Sequence, residues 1–260
     1  MTTRNGSVHY QSDGAIARIV FDRPAARNAM TWDMYEQLAQ ACRRASSEPG
    51  LRLVTFRGAG GEAFIAGTDI AQFRAFESGD DGVAYEAKVE SYVAAVEAIP
   101  VPTLAIVEGV AVGGGLVIAA ACDLRIATAN AVFGAPIART LGNCLSIANH
   151  QRLVAAFGAS RAARMLMLAE NLTAAEALAA GFLVAAVAPE DLDARVDQLC
   201  LQLTRNAPLT TRISKTQAQR LRAAALPDDS DLIRLCYGSD DFHEGVEAFV
   251  AKRRPEWRGR

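Results

Sequence analysis

The chain has 260 residues, of which 51% are hydrophobic, 22% charged and 7% aromatic. This composition excludes a disordered chain and supports a core built mainly from Ala, Val, Leu and Ile. Lys and Arg total 27 against 29 Asp and Glu, a formal net charge of −2, which argues against nucleic acid or a membrane surface as partner.

The five cysteines, Cys42, Cys122, Cys144, Cys200 and Cys236, are widely spaced with no CxxC pair. Reduced thiols are therefore expected, without a disulfide framework or a zinc site. With the histidines far apart in sequence, no metal is expected. No apolar run reaches the roughly 20 residues of a spanning helix, and Met1 to Gly6 is polar, so the expected location is the cytoplasm.

In chain order, Val8 to Gln11 and Ala15 to Phe21 alternate around Ser12-Asp13-Gly14 and predict a β-hairpin. Thr31 is a natural N-cap for an amphipathic helix carrying Met34, Leu38, Ala41 and Ala45. The run Leu51 to Phe56 predicts a buried strand ending at Gly58, Gly60 and Gly61. Val83 to Ile99, with Val89, Val93 and Val96 at helical spacing, predicts a helix stopped by Pro100 and Pro102. Strand Thr103 to Val107, a small-residue helix Leu116 to Ala121 and strand Asp123 to Ala127 follow. Such alternation predicts an α/β fold with βαβ units and a mainly parallel sheet.

Helices are next expected over 145–157, 160–168 and 173–180, the last with a Thr173/Glu176 capping box and a stop at Gly181. A short strand is expected near Phe182 to Val187. The remainder is charged and amphipathic. We divide the chain into a core at residues 1–195 and a helical region at 196–260.

Chemistry concentrates in Val107-Glu108-Gly109-Val110-Ala111-Val112-Gly113-Gly114-Gly115-Leu116-Val117, where a buried strand runs through glycines into a helix. Two readings are open. Free N–H groups at the helix start suit an oxyanion, and the glycines equally allow tight strand-to-helix packing. A P-loop lacks its Lys-Ser or Lys-Thr, and a dinucleotide fingerprint lacks its third small residue.

A second such segment is Glu62-Ala63-Phe64-Ile65-Ala66-Gly67-Thr68-Asp69-Ile70. Taken with Gly109 to Gly115, it resembles the signature segments of the crotonase (enoyl-CoA hydratase/isomerase) superfamily. The likeness extends from Phe21-Asp22-Arg23-Pro24 and Arg27-Asn28-Ala29-Met30, through Cys122 to Ala127, Phe133-Gly134, Gln151-Arg152-Leu153 and Leu172 to Ala177, to Phe249 with Lys252-Arg253.

The resemblance implies a spiral of ββα units with a helical C-terminal region that builds trimers, often paired as hexamers. It implies an acyl-CoA ligand, with coenzyme A as part of the substrate and no separate cofactor. The two oxyanion-hole amides fall on Thr68 and Gly114, and the backbone contact to adenine falls on Ala66. Arg27 falls near the phosphates, while Phe249 and Lys252 reach a neighbouring subunit's ligand.

Hydratases of this superfamily use two glutamates. Here the first position is Val117 and the second is Ile137, or Ala138 if a one-residue insertion lies earlier. Neither side chain transfers a proton, so efficient hydration is not expected. Three further residues are candidates. Cys144 resembles in position a dehalogenase nucleophile, against an inert small hydrophobe; Arg139 is a carboxylate binder or a surface charge; Glu108 is a base or a structural acceptor. Two functions follow: a lyase or isomerase of fatty acid metabolism acting on acyl-CoA, or a non-catalytic acyl-CoA binding protein.

Overall fold

The computed structural model describes residues 6–222 and 228–260. Strands β1 (Ser7–Ser12) and β2 (Ile16–Asp22) form the expected hairpin, its turn closed by Asp13 accepting the N–H groups of Ala15 and Ile16. Thr31 caps α1 (Trp32–Ser47) by accepting the Met34 N–H at 3.2 Å.

Three times the chain then lays down one strand, bends and lays down a second in another sheet. The pairs are β3 (Leu53–Gly58) with β4 (Ala63–Ile65), before α2 (Gly79–Glu97); β5 (Thr103–Val107) with β6 (Val110–Val112), before α3 (Gly114–Ala121); and β7 (Leu124–Thr128) with β8 (Val132–Gly134), before the short α4 (Ile137–Thr140). The bend between β5 and β6 needs glycine at 109, where φ is +61° and a Cβ would lie 2.0 Å from the Glu62 carbonyl oxygen.

Helices α5 (Ile147–Phe157) and α6 (Ala159–Met167) lead to β9 (Asn171–Thr173), α7 (Ala174–Ala179) and β10 (Ala185–Val187). The larger sheet has the order β1-β2-β3-β5-β7-β10 and is parallel from β2 onward. The smaller has the order β4-β6-β8-β9 with β9 antiparallel. The sequence pattern anticipates the first sheet and misses the second, because three-residue strands are too short to show a period. The expected strand near Phe182 to Val187 shrinks to Ala185–Val187.

Every residue of β5 is buried, as a central parallel strand covered on both faces requires. One core fills the space between the sheets and α1, α2 and α3. A second lies where Leu53, Leu104 and Ile126 meet Leu192, Val196 and Leu199 of α8 (Leu192–Arg205). This helix runs unbroken through residue 195, so the division between core and helical region falls inside an element. On α9 (Pro208–Arg222), buried Lys215 reaches Asp123 at 2.7 Å and the Val101 carbonyl at 3.1 Å. Among the described residues no helix is long and apolar enough to cross a membrane.

The last two helices, α10 (Ser230–Tyr237) and α11 (Asp240–Val250), fold back over the core. They approach unusually closely. A Cβ at Gly79 would meet the Arg234 carbonyl oxygen at 2.1 Å, one at Gly82 would meet the Tyr237 ring at 2.2 Å, and one at Gly245 the Leu141 carbonyl oxygen at 2.2 Å. Gly82→Ala therefore forces α10 off α2. Overpacking of this kind typically costs about 1–3 kcal/mol, and a urea melt should show a lowered midpoint; an unchanged midpoint would mean that α10 is not docked this way.

Candidate active site

Where α3 begins, Gly113 has φ +53° and a Cβ on Gly115 would lie 2.1 Å from the Ile65 carbonyl oxygen. Glycine at both positions brings the helix start against the 65–69 loop. In that loop Ala66 donates to the Arg27 carbonyl, Met30 to the Gly67 carbonyl and Asp69 to the Met30 carbonyl. This parallel pairing uses the amides of residues 66 and 69 and leaves that of Thr68 out of the ladder. Gly114, the first residue of α3, has no intrahelical acceptor. Among the described residues neither amide donates to any protein group. The two are neighbours: a Cβ built on Gly114 would lie 3.9 Å from the Thr68 nitrogen.

Beneath them lies a hydroxyl cluster. The Thr68 hydroxyl is 2.9 Å from that of Tyr35 and 3.0 Å from that of Tyr85. Burial pushes Tyr35 up to about 12 and Tyr85 well above the ordinary phenol range. Both therefore remain neutral hydrogen-bonding groups at physiological pH.

Thr68 and Gly114 line a cavity of about 840 Å³, as do Arg27, Ala66, Phe249 and Lys252. All four residues assigned from resemblance to coenzyme A contacts thus share one cavity with the two amides. Phe249 and Lys252 do so within the same chain, where α11 docks on Leu141.

Val117 and Ile137 also line this cavity, whereas Ala138 is exposed and lines a second depression of about 360 Å³ beside Cys236 and Trp257. Three other candidates are not brought together with the amides. Glu108 accepts from Arg57 at 2.6 Å, in an ion pair that Arg57 shares with Asp193, and lies outside the cavity lining. Arg139 is exposed on α4. Cys144 is absent from the lining, and its thiol is engaged with that of Cys236.

Sequence reasoning missed Glu86. This α2 residue is 3% exposed, lines the cavity, and accepts from the Tyr237 hydroxyl at 2.8 Å and the Ser146 N–H at 3.0 Å. Burial pushes its carboxyl above the usual range in spite of these donors. A signal was available: Glu86 falls at helical spacing on the stripe of Val89, Val93 and Val96.

The enoyl-CoA hydratase/isomerase family model matches residues 11–260. The chain belongs to this family. Its curated relatives in the family include the crotonyl-CoA hydratase of Syntrophomonas wolfei, 31% identical over 94% of this chain and 95% of that protein. The 2,3-dehydroadipyl-CoA hydratase of Escherichia coli is 32% identical over 93% of this chain and 94% of its own. Among solved structures, methylmalonyl-CoA decarboxylase in complex with 2-nitronate-propionyl-CoA matches with a TM-score of 0.88 and 26% identity, covering 97% of this chain and 98% of that one. Family membership accounts for the α/β fold and makes this an enzyme family member acting on acyl-CoA.

The thiol pair generates a prediction. Hydrogen bonding to Cys144 holds Cys236 below the usual thiol range; the same contact, with burial, pushes Cys144 up. Cys42 and Cys122 are pushed up to about 12 by burial. Iodoacetamide at neutral pH should label Cys236 ahead of Cys144 and spare Cys42 and Cys122 in the folded protein, as read by peptide mass spectrometry. Preferential labelling of Cys144 would reinstate it as a nucleophile.

Proposed function

We propose that this chain is an acyl-CoA enzyme that binds the thioester oxygen between the amides of Thr68 and Gly114 and stabilises the negative charge that develops there. The observation that carries the reading is the pair of adjacent amides, neither with a protein acceptor among the described residues, at the wall of one cavity. Preorganised donors of this kind lower a barrier because they need no reorientation as charge forms. Arg27 and Lys252 are the cations of the lining suited to coenzyme A phosphates, with Ala66 and Phe249 beside them.

The acyl end of the cavity is apolar where hydration by two carboxyls would require acids, since Val117 and Ile137 stand there. Each missing acid/base group typically costs ~10²–10⁴ in rate. Hydration of crotonyl-CoA is therefore expected far below the rate of an ordinary hydratase, in spite of the names of the relatives. Likeness to a decarboxylase supports thioester polarisation as the shared step and hydration as dispensable. Self-association as a trimer or a pair of trimers belongs to the same reading, supported by exposed Met167, Leu168, Leu209 and Ile213 on the helical periphery. The two apolar substitutions equally favour a second reading, a binding protein without turnover.

Two variants at one position test the proposal. Gly114→Ala keeps the N–H but adds a Cβ 2.8 Å from the Tyr35 hydroxyl; Gly114→Pro adds a similar atom and removes the N–H, at a helix position where Pro is tolerated. On a panel of acyl-CoAs, with folding checked by circular dichroism, turnover should fall ~10²–10³ further for Pro than for Ala. Equal turnover by the two would remove the Gly114 amide from the mechanism. Binding with no turnover of any panel member by the unaltered protein would select the binding-protein reading.

A further inference from the structure

Glu86 is an expensive residue to place where it is. A buried carboxyl costs free energy that a buried amide of the same shape avoids, and this one offers a separate oxygen to each of two donors, Oε1 to Tyr237 and Oε2 to Ser146. The surroundings hold it firmly. The Ser146 side-chain oxygen accepts the Asn149 N–H at 3.5 Å. The Asn149 side-chain oxygen in turn accepts from Arg152 at 2.8 Å.

Among the described residues no cation is paired with Glu86. Arg152, which reaches Asn149, is paired with both Glu90 and Glu97. The other acid of the cavity lining, Asp69, is paired with Arg23 at 2.8 Å and caps the Ala71 N–H. Glu86 is thus the one lining carboxyl without a salt-bridge partner among the described residues. It follows Tyr85, whose hydroxyl touches the residue supplying one of the two amides.

Resting on the acyl-CoA reading above, we infer that Glu86 is the general base and acid of this pocket, transferring a proton at the acyl carbon next to the thioester carbonyl. The C–H bond at that carbon breaks and the proton moves to a Glu86 carboxylate oxygen. The bonding pair becomes the C=C of an enolate whose oxygen is held by the amides of Thr68 and Gly114. Return of the proton to the same carbon gives exchange. Return two carbons further along an unsaturated chain moves the double bond. No oxidant or co-reactant is consumed.

The other titratable groups facing Glu86 are Tyr35 from α1, Tyr85 from its own helix, Tyr237 and Cys236 from α10, and Cys144 from the preceding loop. The phenols are pushed up by burial and stay neutral, which leaves the Glu86 carboxyl and the Cys236 thiol as the groups of this set whose charge responds to pH. The Tyr237 hydrogen bond favours the ionised form. Its removal in Tyr237→Phe raises the Glu86 pKa and moves the rising, base-dependent limb of the rate profile to higher pH.

The test is α-deuterium uptake from D₂O into acetyl-, butyryl- and hexanoyl-CoA, followed by mass spectrometry, with binding of the same thioesters measured by calorimetry. Wild type should bind and exchange. Glu86→Gln should bind as wild type does and lose exchange by ~10²–10⁴. Exchange at the wild-type rate in Glu86→Gln overturns the inference. So does binding by wild type without exchange, which leaves the acyl-CoA reading standing. Absence of binding by wild type removes that reading and this inference with it. If Glu86→Gln does not fold, the pH profile of Tyr237→Phe decides: an upward shift supports the assignment, and an unmoved limb overturns it.

Discussion

An amide N–H that finds no acceptor inside the fold is retained at a cost of about 1–3 kcal/mol unless water or a ligand takes it. This chain sets two of them side by side, at Thr68 and Gly114, and much of the architecture serves to keep them free and close. The parallel pairing of residues 27–30 with the 66–69 loop uses the flanking polar groups and leaves out the Thr68 amide. The start of α3 leaves out Gly114 for a different reason, the unpaired first turn of any helix. Two unrelated rules of backbone geometry thus deliver donors to one place, and glycines at 113 and 115 allow the two segments to touch.

Around that pair, the ββα spiral and the returning C-terminal helices build the walls. Each bend from the large sheet to the small one directs a loop toward the start of the following helix. Helices α10 and α11 then close the far side through glycine contacts at 79, 82 and 245 and through an aromatic cluster in which Phe73, Phe76, Tyr85, Tyr237 and Phe242 meet edge to face or tilted. Tyr237 joins the two functions. Its ring packs against Gly82 of α2 and its hydroxyl donates to Glu86.

Much of this was legible in the sequence, and for physical reasons. Long buried strands and capped helices carry their own period, so the hairpin, the parallel strands and the Thr31 and Thr173 caps were anticipated. The glycine segments marked the two loops. The second sheet was not legible, because strands such as Ala63–Ile65 are defined by partners far away in the chain. Nor was the fate of Glu108 and Cys144, since sequence position does not tell which way a side chain turns: one pairs with Arg57 from a neighbouring strand, the other with Cys236 from a helix nearly a hundred residues on. Glu86 was overlooked because an acid in an amphipathic helix is ordinarily solvated, although its spacing with Val89, Val93 and Val96 placed it on the buried stripe.

The central claim is that the two amides polarise a thioester carbonyl. Infrared difference spectroscopy of an acyl-CoA labelled with ¹³C at that carbonyl reads this bond directly, in the bound state and without turnover. The account predicts that the labelled C=O stretch moves to lower frequency on binding, below its position in water, because two fixed N–H donors weaken the bond more than mobile solvent does. A bound ligand whose carbonyl stretch stays at its position in water, or rises, would contradict the account.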